Sequence, residues 1–320
     1  MKRPLVTLWL ALIAIAPVAA RAQSVEQGIK LFDDKKYGEA KTVLTPLAGQ
    51  NAEAAYYLGK ISMVENDDDR SVEWMEQAVK LNPKSSVYHD WLGRAYGNKA
   101  MRSSKFKLLF LAPKVKNQFE TAVALDPNNL DAREDLMSYY MQAPGVAGGS
   151  KQKALEMAME IKKRNAYRGG YTVASVCVQT KDFACAEREL VALRSAYPDS
   201  AGTYAQLAAF YANQKEFDKS WAVIEERLKA KPGDKAALFA VGRTGALSGQ
   251  NLDRAEAALK SYLASPPDVN AIPPANVHFR LGMVYEKKGD TALARKEYMT
   301  ALQLNPRLQD AKRALDALGR

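Results

Sequence analysis

Few residues in this chain have a type and spacing that could do chemistry, and each set is incomplete. His89 and His278 are the two histidines. No His-Glu-x-x-His gives either one a second ligand, and no Gly-x-Ser-x-Gly supplies a nucleophile. Asp67, Asp68 and Asp69 form an acidic run. A calcium loop also needs a central glycine and a terminal glutamate, and both are missing, so a solvated turn is expected. The stretch 143–150, Ala-Pro-Gly-Val-Ala-Gly-Gly-Ser, puts glycines before a helix start. Backbone N–H groups in such a place can hold an anion. No Gly-Lys-Ser/Thr follows as in a P-loop, so the expectation is a structural turn capped by Ser150. Cys177 and Cys185 do not have metal-site spacing. They read as either a disulfide or two buried thiols. With no acid/base pair and no ligand cluster, the chain is read as not an enzyme, with no cofactor and no metal.

The elements that carry these residues begin with a separate object. Lys2 and Arg3 precede an apolar run from Leu5 to Val18, and Ala20-Arg21-Ala22 follows. That order is a cleavable signal peptide over 1–22, with Gln23 as the mature start. The run is shorter than the roughly 20 residues of a membrane span. No cysteine follows it to carry a lipid. The expected location is therefore periplasmic or secreted. The rest of the chain is rich in Ala, Leu, Lys, Glu and Gln, which favour helices. Hydrophobic residues make up 47% and charged residues 26%, as in ordinary folded proteins. The formal charge is +10, and losing the leader lowers it by three. That excess gives no argument for nucleic acid. An anionic membrane surface or an acidic partner would fit it better.

Laid against itself, the chain repeats. Leu281-Gly282-x-x-Tyr285 leads to Lys288-Gly289-Asp290, then Ala294, Tyr298, Ala301 and Pro306; upstream, Leu207-Ala208-x-x-Tyr211 leads to Ile224 and Pro232. Pro198 and Pro232 mark a period of about 34 residues. Small residues recur in one helix of each unit (Gly59, Gly93, Ala174, Ala208, Gly242, Gly282). A second set recurs in the other (Ala40, Ala154, Ala186, Ala255, Ala294). Facing small residues let two helices approach closely. Tyr96, Tyr140, Tyr211 and Tyr285 sit where a seam between units needs filling, and prolines such as Pro83 and Pro127 stop each second helix.

This pattern resembles the tetratricopeptide repeat family over nearly all of the mature chain. The resemblance implies an all-α fold, a right-handed α-solenoid of stacked antiparallel helix hairpins. About eight repeats are expected over 23–306, with a capping helix over 307–320. Departures from the period fall near 101–113, 143–150 and 265–275. In the first, Lys105, Phe106, Lys107, Phe110 and Lys114 make a basic, apolar element fit for a membrane surface or an acidic partner. Pro113 reads as the first residue of the following helix.

In that family the first helices line the peptide-binding face, and some members grip a carboxylate with Lys and Asn. The matching positions here carry Tyr56 and Lys60, Asp90 and Arg94, Glu134 and Ser138, Tyr171 and Ser175, Phe239 and Arg243, and Phe279 and Met283, so that clamp is missing. Aromatic and arginine anchors remain. Tyr56, Lys60, Arg94, Tyr171, Phe239, Arg243 and Phe279 are therefore expected to face a bound protein or peptide segment. The expected function is a non-enzymatic scaffold or adaptor of the bacterial cell envelope. The alternative is a peripheral membrane adaptor working through 102–116. A homo-oligomer is compatible with the sequence but not indicated by it.

Overall fold

The computed structural model describes residues 18–266 and 272–319. Most of the expected leader and the middle of the proline-rich joint lie outside them. Every regular element among the described residues is helical. The chain divides into two compact units, Met1–Gly169 and Gly170–Arg320. In each, helices pair as antiparallel hairpins, the arrangement of an all-α solenoid.

The first unit holds the hairpins α1 (Val18–Asp33)/α2 (Tyr37–Leu44), α3 (Ala52–Val64)/α4 (Asp68–Leu81), α5 (Ser86–Met101)/α6 (Lys105–Leu125) and α7 (Leu130–Gln142)/α8 (Lys151–Arg164). The second begins within α9 (Ala166–Gln179), which pairs with α10 (Phe183–Ala196). It continues with α11 (Ala201–Asn213)/α12 (Phe217–Ala230), α13 (Lys235–Ser248)/α14 (Leu252–Ala264) and α15 (Pro274–Lys288)/α16 (Thr291–Leu304). A last helix, α17 (Gln309–Ala317), lays Ala311, Leu315 and Leu318 inward and leaves Asp310, Lys312 and Arg313 in solvent.

Local chemistry sets where these helices start. Asn51, Asp67, Ser85, Asn129, Ser150, Asp182, Asp234 and Asp290 each accept a hydrogen bond from the backbone N–H three residues on. That fills one of the orphan donors of a helix start. The acidic run is thereby explained: Asp67 caps α4, and Asp68 and Asp69 occupy its first turn, where the helix dipole favours negative charge.

The turns inside hairpins repeat one geometry. Lys35, Asn66, Lys181, Lys215 and Gly289 have left-handed backbones. In each case the next residue's N–H reaches a carbonyl five back, as in Asp67 to Ser62 at 2.9 Å and Glu216 to Tyr211 at 2.9 Å. This is the Schellman closure, in which glycine is the unstrained choice.

Packing follows the small residues. A Cβ at Gly282 would come within 2.4 Å of Tyr298, and one at Gly242 within 2.2 Å of Leu259. The bare backbone is what lets each hairpin close. Ala40, Ala154, Ala186, Ala255 and Ala294 are fully buried. Between hairpins the recurring tyrosines act as clasps: Tyr140 Oη donates to Glu120 at 2.8 Å, Tyr211 to Glu187 at 2.8 Å and Tyr285 to Glu256 at 2.9 Å. Tyr96 makes the same bond to Glu76.

One expectation is corrected. Pro113 does not start a helix but lies inside α6, which runs unbroken from Lys105. A proline there loses its bond to the carbonyl of Leu109. Both residues are exposed, so water can take that carbonyl and the helix continues. The surplus near 101–113 is thus extra turns at the start of a second helix.

Candidate functional site

First helices of successive hairpins pack side by side: α1 on α3 and α5 on α7 in the first unit, α11 on α13 and α13 on α15 in the second. Residues four apart lie on one face of such a helix, so within each unit packed first helices contribute matched pairs to a first-helix surface.

In the first unit that surface is closed by its own chemistry. The Lys60 ammonium sits among four rings, 4.6 Å from the centroid of Phe32, 4.9 Å from Tyr57, 5.0 Å from Trp91 and 5.3 Å from Tyr56. Desolvation by these rings pulls its pKa down, while Asp33 opposes the shift. Tyr56 itself packs against Tyr57 and Tyr88, with centroids 5.2 Å apart in both cases. Arg94 lies 4.8 Å over Trp91, pairs with Asp90 at 2.9 Å and also with Asp135. Burial pushes the Asp90 carboxyl well above the usual range; Arg94 opposes this and the charge of Asp135 adds to it. Arg168 holds Asp131 at 2.6 Å and Glu134 at 2.5 Å.

The second unit differs. Phe239 and Phe279 are half-buried and lean on Tyr262 and Tyr298, with centroids 6.0 and 5.9 Å apart. They serve the core and the surface together. Tyr171 is half-buried, with its hydroxyl out of reach of solvent. Arg243 donates from Nη2 to Asn213 Oδ1 at 2.8 Å, and burial lowers its pKa.

The other sequence candidates fall outside this surface. Lys105 and Phe106 open α6, and their side chains lie outside the described residues. Phe110 is 77% exposed, with Met101 and Leu109 exposed nearby. Lys107 is exposed and Lys114 rests 5.2 Å over the ring of Tyr96. In the glycine loop, the N–H groups of Gly148, Gly149 and Ser150 go to the carbonyls of Gly145, Pro144 and Tyr140. None is left for an anion, and the loop is a structural turn. His89 bonds Gln118 at 2.6 Å and the Pro83 carbonyl at 3.0 Å, and His278 bonds Glu297 at 2.6 Å. Both histidines hold helices in place. Cys177 and Cys185 form a disulfide between α9 and α10, with Cα atoms 5.8 Å apart. No cluster among the described residues could hold a metal ion, and no helix there is long and apolar enough to cross a membrane.

The sequence reading missed Phe32, Tyr57 and Trp91 around Lys60, and Asp135 beside Arg94. Trp91 directly follows Asp90, so a reading of adjacent positions would have reached it. Asp135 carries no such mark.

Comparison with known proteins fits this geometry. Residues 275–308 match the family described as tetratricopeptide repeat. A tetratricopeptide repeat protein from Parabacteroides merdae is structurally similar, with a TM-score of 0.59 at 14% identity, over 94% of this chain and 100% of that one. So is a monomeric mutant of IFIT1 with Gppp-AAAA, with a TM-score of 0.53 at 14% identity, over 94% of this chain and 72% of that one. No curated protein matches the chain. Residues 275–308 are a tetratricopeptide repeat, and the helical hairpins share their fold with solved structures of repeat proteins.

Proposed function

We propose that this chain is an exported, non-enzymatic scaffold or adaptor of the bacterial cell envelope, holding a segment of another protein along the first helices of its hairpins. The observation that carries this reading is the row of half-buried aromatic and arginine side chains on that surface: Tyr171, Phe239, Arg243 and Phe279. Such residues bury large area and bond at low entropic cost, which makes them interface anchors. Export is supported by the leader at 1–22 and by the Cys177–Cys185 disulfide, since such bonds persist in oxidising compartments. Catalysis is disfavoured because both histidines and the acidic run have structural duties. IFIT1 is a neighbour with Gppp-AAAA. A nucleic-acid role is nevertheless disfavoured here, because several basic groups, Arg94 and Arg168 among them, are paired with the chain's own acids.

The test is replacement of Tyr171, Phe239 and Phe279 by alanine. Native partner recovery from envelope extract should be lost while helicity by circular dichroism is kept. Undiminished recovery by a folded variant contradicts the reading.

A second reading keeps one observation of its own: exposed Phe110 beside exposed Lys107 on α6. On that reading the helix rests on an anionic membrane. Binding to vesicles containing anionic lipid would then fall with added salt and with Phe110→Ala.

A further inference from the structure

Arg243 and Arg280 differ from Arg94 and Arg168, which meet acids. α13 packs on α15, and the charge of Arg243 acts on Arg280. The Nε of Arg243 is shut off from solvent and has no hydrogen-bond partner, and the side chain's bond goes to the neutral amide of Asn213. Arg280 donates from Nη1 to Met283 Sδ at 3.1 Å, and a thioether is a weak acceptor. Its guanidinium carbon lies 5.1 Å from the centroid of Phe279. Neither arginine has an ion-pair partner among the described residues.

Elsewhere a buried arginine does meet an acid. Arg227, on the second helix α12, is almost fully buried and meets Asp234 at 2.7 Å. Asp310, the acid whose charge acts on Arg280, is already paired with Arg313. Burial lowers the pKa of Arg280 to about 10, and the like charge of Arg243 adds to the shift. Two partly desolvated like charges without a counter-ion are costly, and one anion placed against both relieves them together. A guanidinium offers a planar fork that matches a carboxylate.

We propose that Arg243 and Arg280 together bind a side-chain carboxylate of the partner segment, so that the partner presents an aspartate or glutamate next to an apolar residue. Phe239, Phe279 and Met283 supply the apolar surface for that neighbour, which a free phosphate would leave unused. The proposal rests on the reading that a protein segment lies along the first helices.

The test uses the full mature chain and a short peptide of alternating glutamate and leucine, acetylated and amidated at its ends. The comparison probes are the glutamine–leucine counterpart and inorganic phosphate. The glutamate peptide should bind and the glutamine peptide should bind at least about tenfold more weakly. R243Q/R280Q should lose that preference with unchanged helicity, and R243K/R280K should recover part of it. Equal binding of both peptides, or a preference that survives in R243Q/R280Q, overturns the proposal. So does displacement of the peptide by phosphate at matched concentration, which would mark a small-anion site. The scaffold reading fails separately. If the aromatic triple variant loses the native partner while R243Q/R280Q retains it, the carboxylate proposal falls and the scaffold stands.

Discussion

The first-helix surfaces of the two units are built differently. In the first, Lys60 is boxed by four rings, Arg94 is held by Asp90 and Asp135, and Arg168 is held by Asp131 and Glu134. In the second, Arg243 and Arg280 meet an amide and a thioether. In one stretch of first helices Arg94 and Arg168 have acids, and in the other Arg243 and Arg280 have none among the described residues. A shared fold position therefore does not imply shared surroundings: Arg94 and Arg168 meet acids of the chain, whereas Arg243 and Arg280 meet none among the described residues.

Breaking the first unit's network should have the largest effect. Arg94→Ala leaves Asp90 and Asp135 without their cation and should cost about 3 kcal/mol in urea unfolding. Arg243→Gln removes a partly desolvated charge that has no counter-ion, and should leave stability unchanged or raise it. Equal losses would erase the contrast. Cys177→Ser with Cys185→Ser comes next, at about 2 kcal/mol from the freed loop in the unfolded chain, and its transition should match that of the reduced native protein.

Acidity should separate the units in sign. Asp90 has its pKa raised in the fold, so the folded state holds a proton the unfolded chain has lost. Its contribution is present in acid and declines as pH rises above the ordinary carboxylate range. Lys260, Lys288 and Tyr285 depress Glu256 to about 2. Its contribution is present above the unfolded carboxylate value and is lost as pH falls toward 2. Stability measured against pH should flatten on the neutral side in Asp90→Asn and on the acid side in Glu256→Gln. The smallest effect belongs to the turns: Lys215→Gly should stabilise the second unit by about 0.5–1 kcal/mol by relieving a left-handed lysine, visible as a rise in melting temperature.

Much of the fold was legible in the sequence because its signals are local and periodic. Gly282 and Gly242 mark close helix approach, Pro83 and Pro127 mark helix ends, and Ser150 marks a helix start. Each acts within its own turn or hairpin. The partners across hairpins were not legible. Tyr140 finds Glu120 and Tyr285 finds Glu256 at unequal sequence separations, so no fixed spacing announces them. Pro113 misled because proline at a helix start is the commoner case, and the exposure that makes it tolerable inside α6 belongs to the folded protein. In the candidate site, the position-matched pairs identified Arg243. Arg280 sits one residue after Phe279 and escaped that register. Its importance comes from the acid it lacks, a property of three-dimensional surroundings.

Site-resolved crosslinking in the native envelope tests the central claim most directly. A photoreactive residue is placed at Phe239 in one protein and at Phe110 in another, and the adducts are identified by mass spectrometry. The account predicts a reproducible protein adduct at Phe239 carrying an acidic stretch, and no such adduct at Phe110. Protein or lipid adducts confined to Phe110, with none at Phe239, would contradict it.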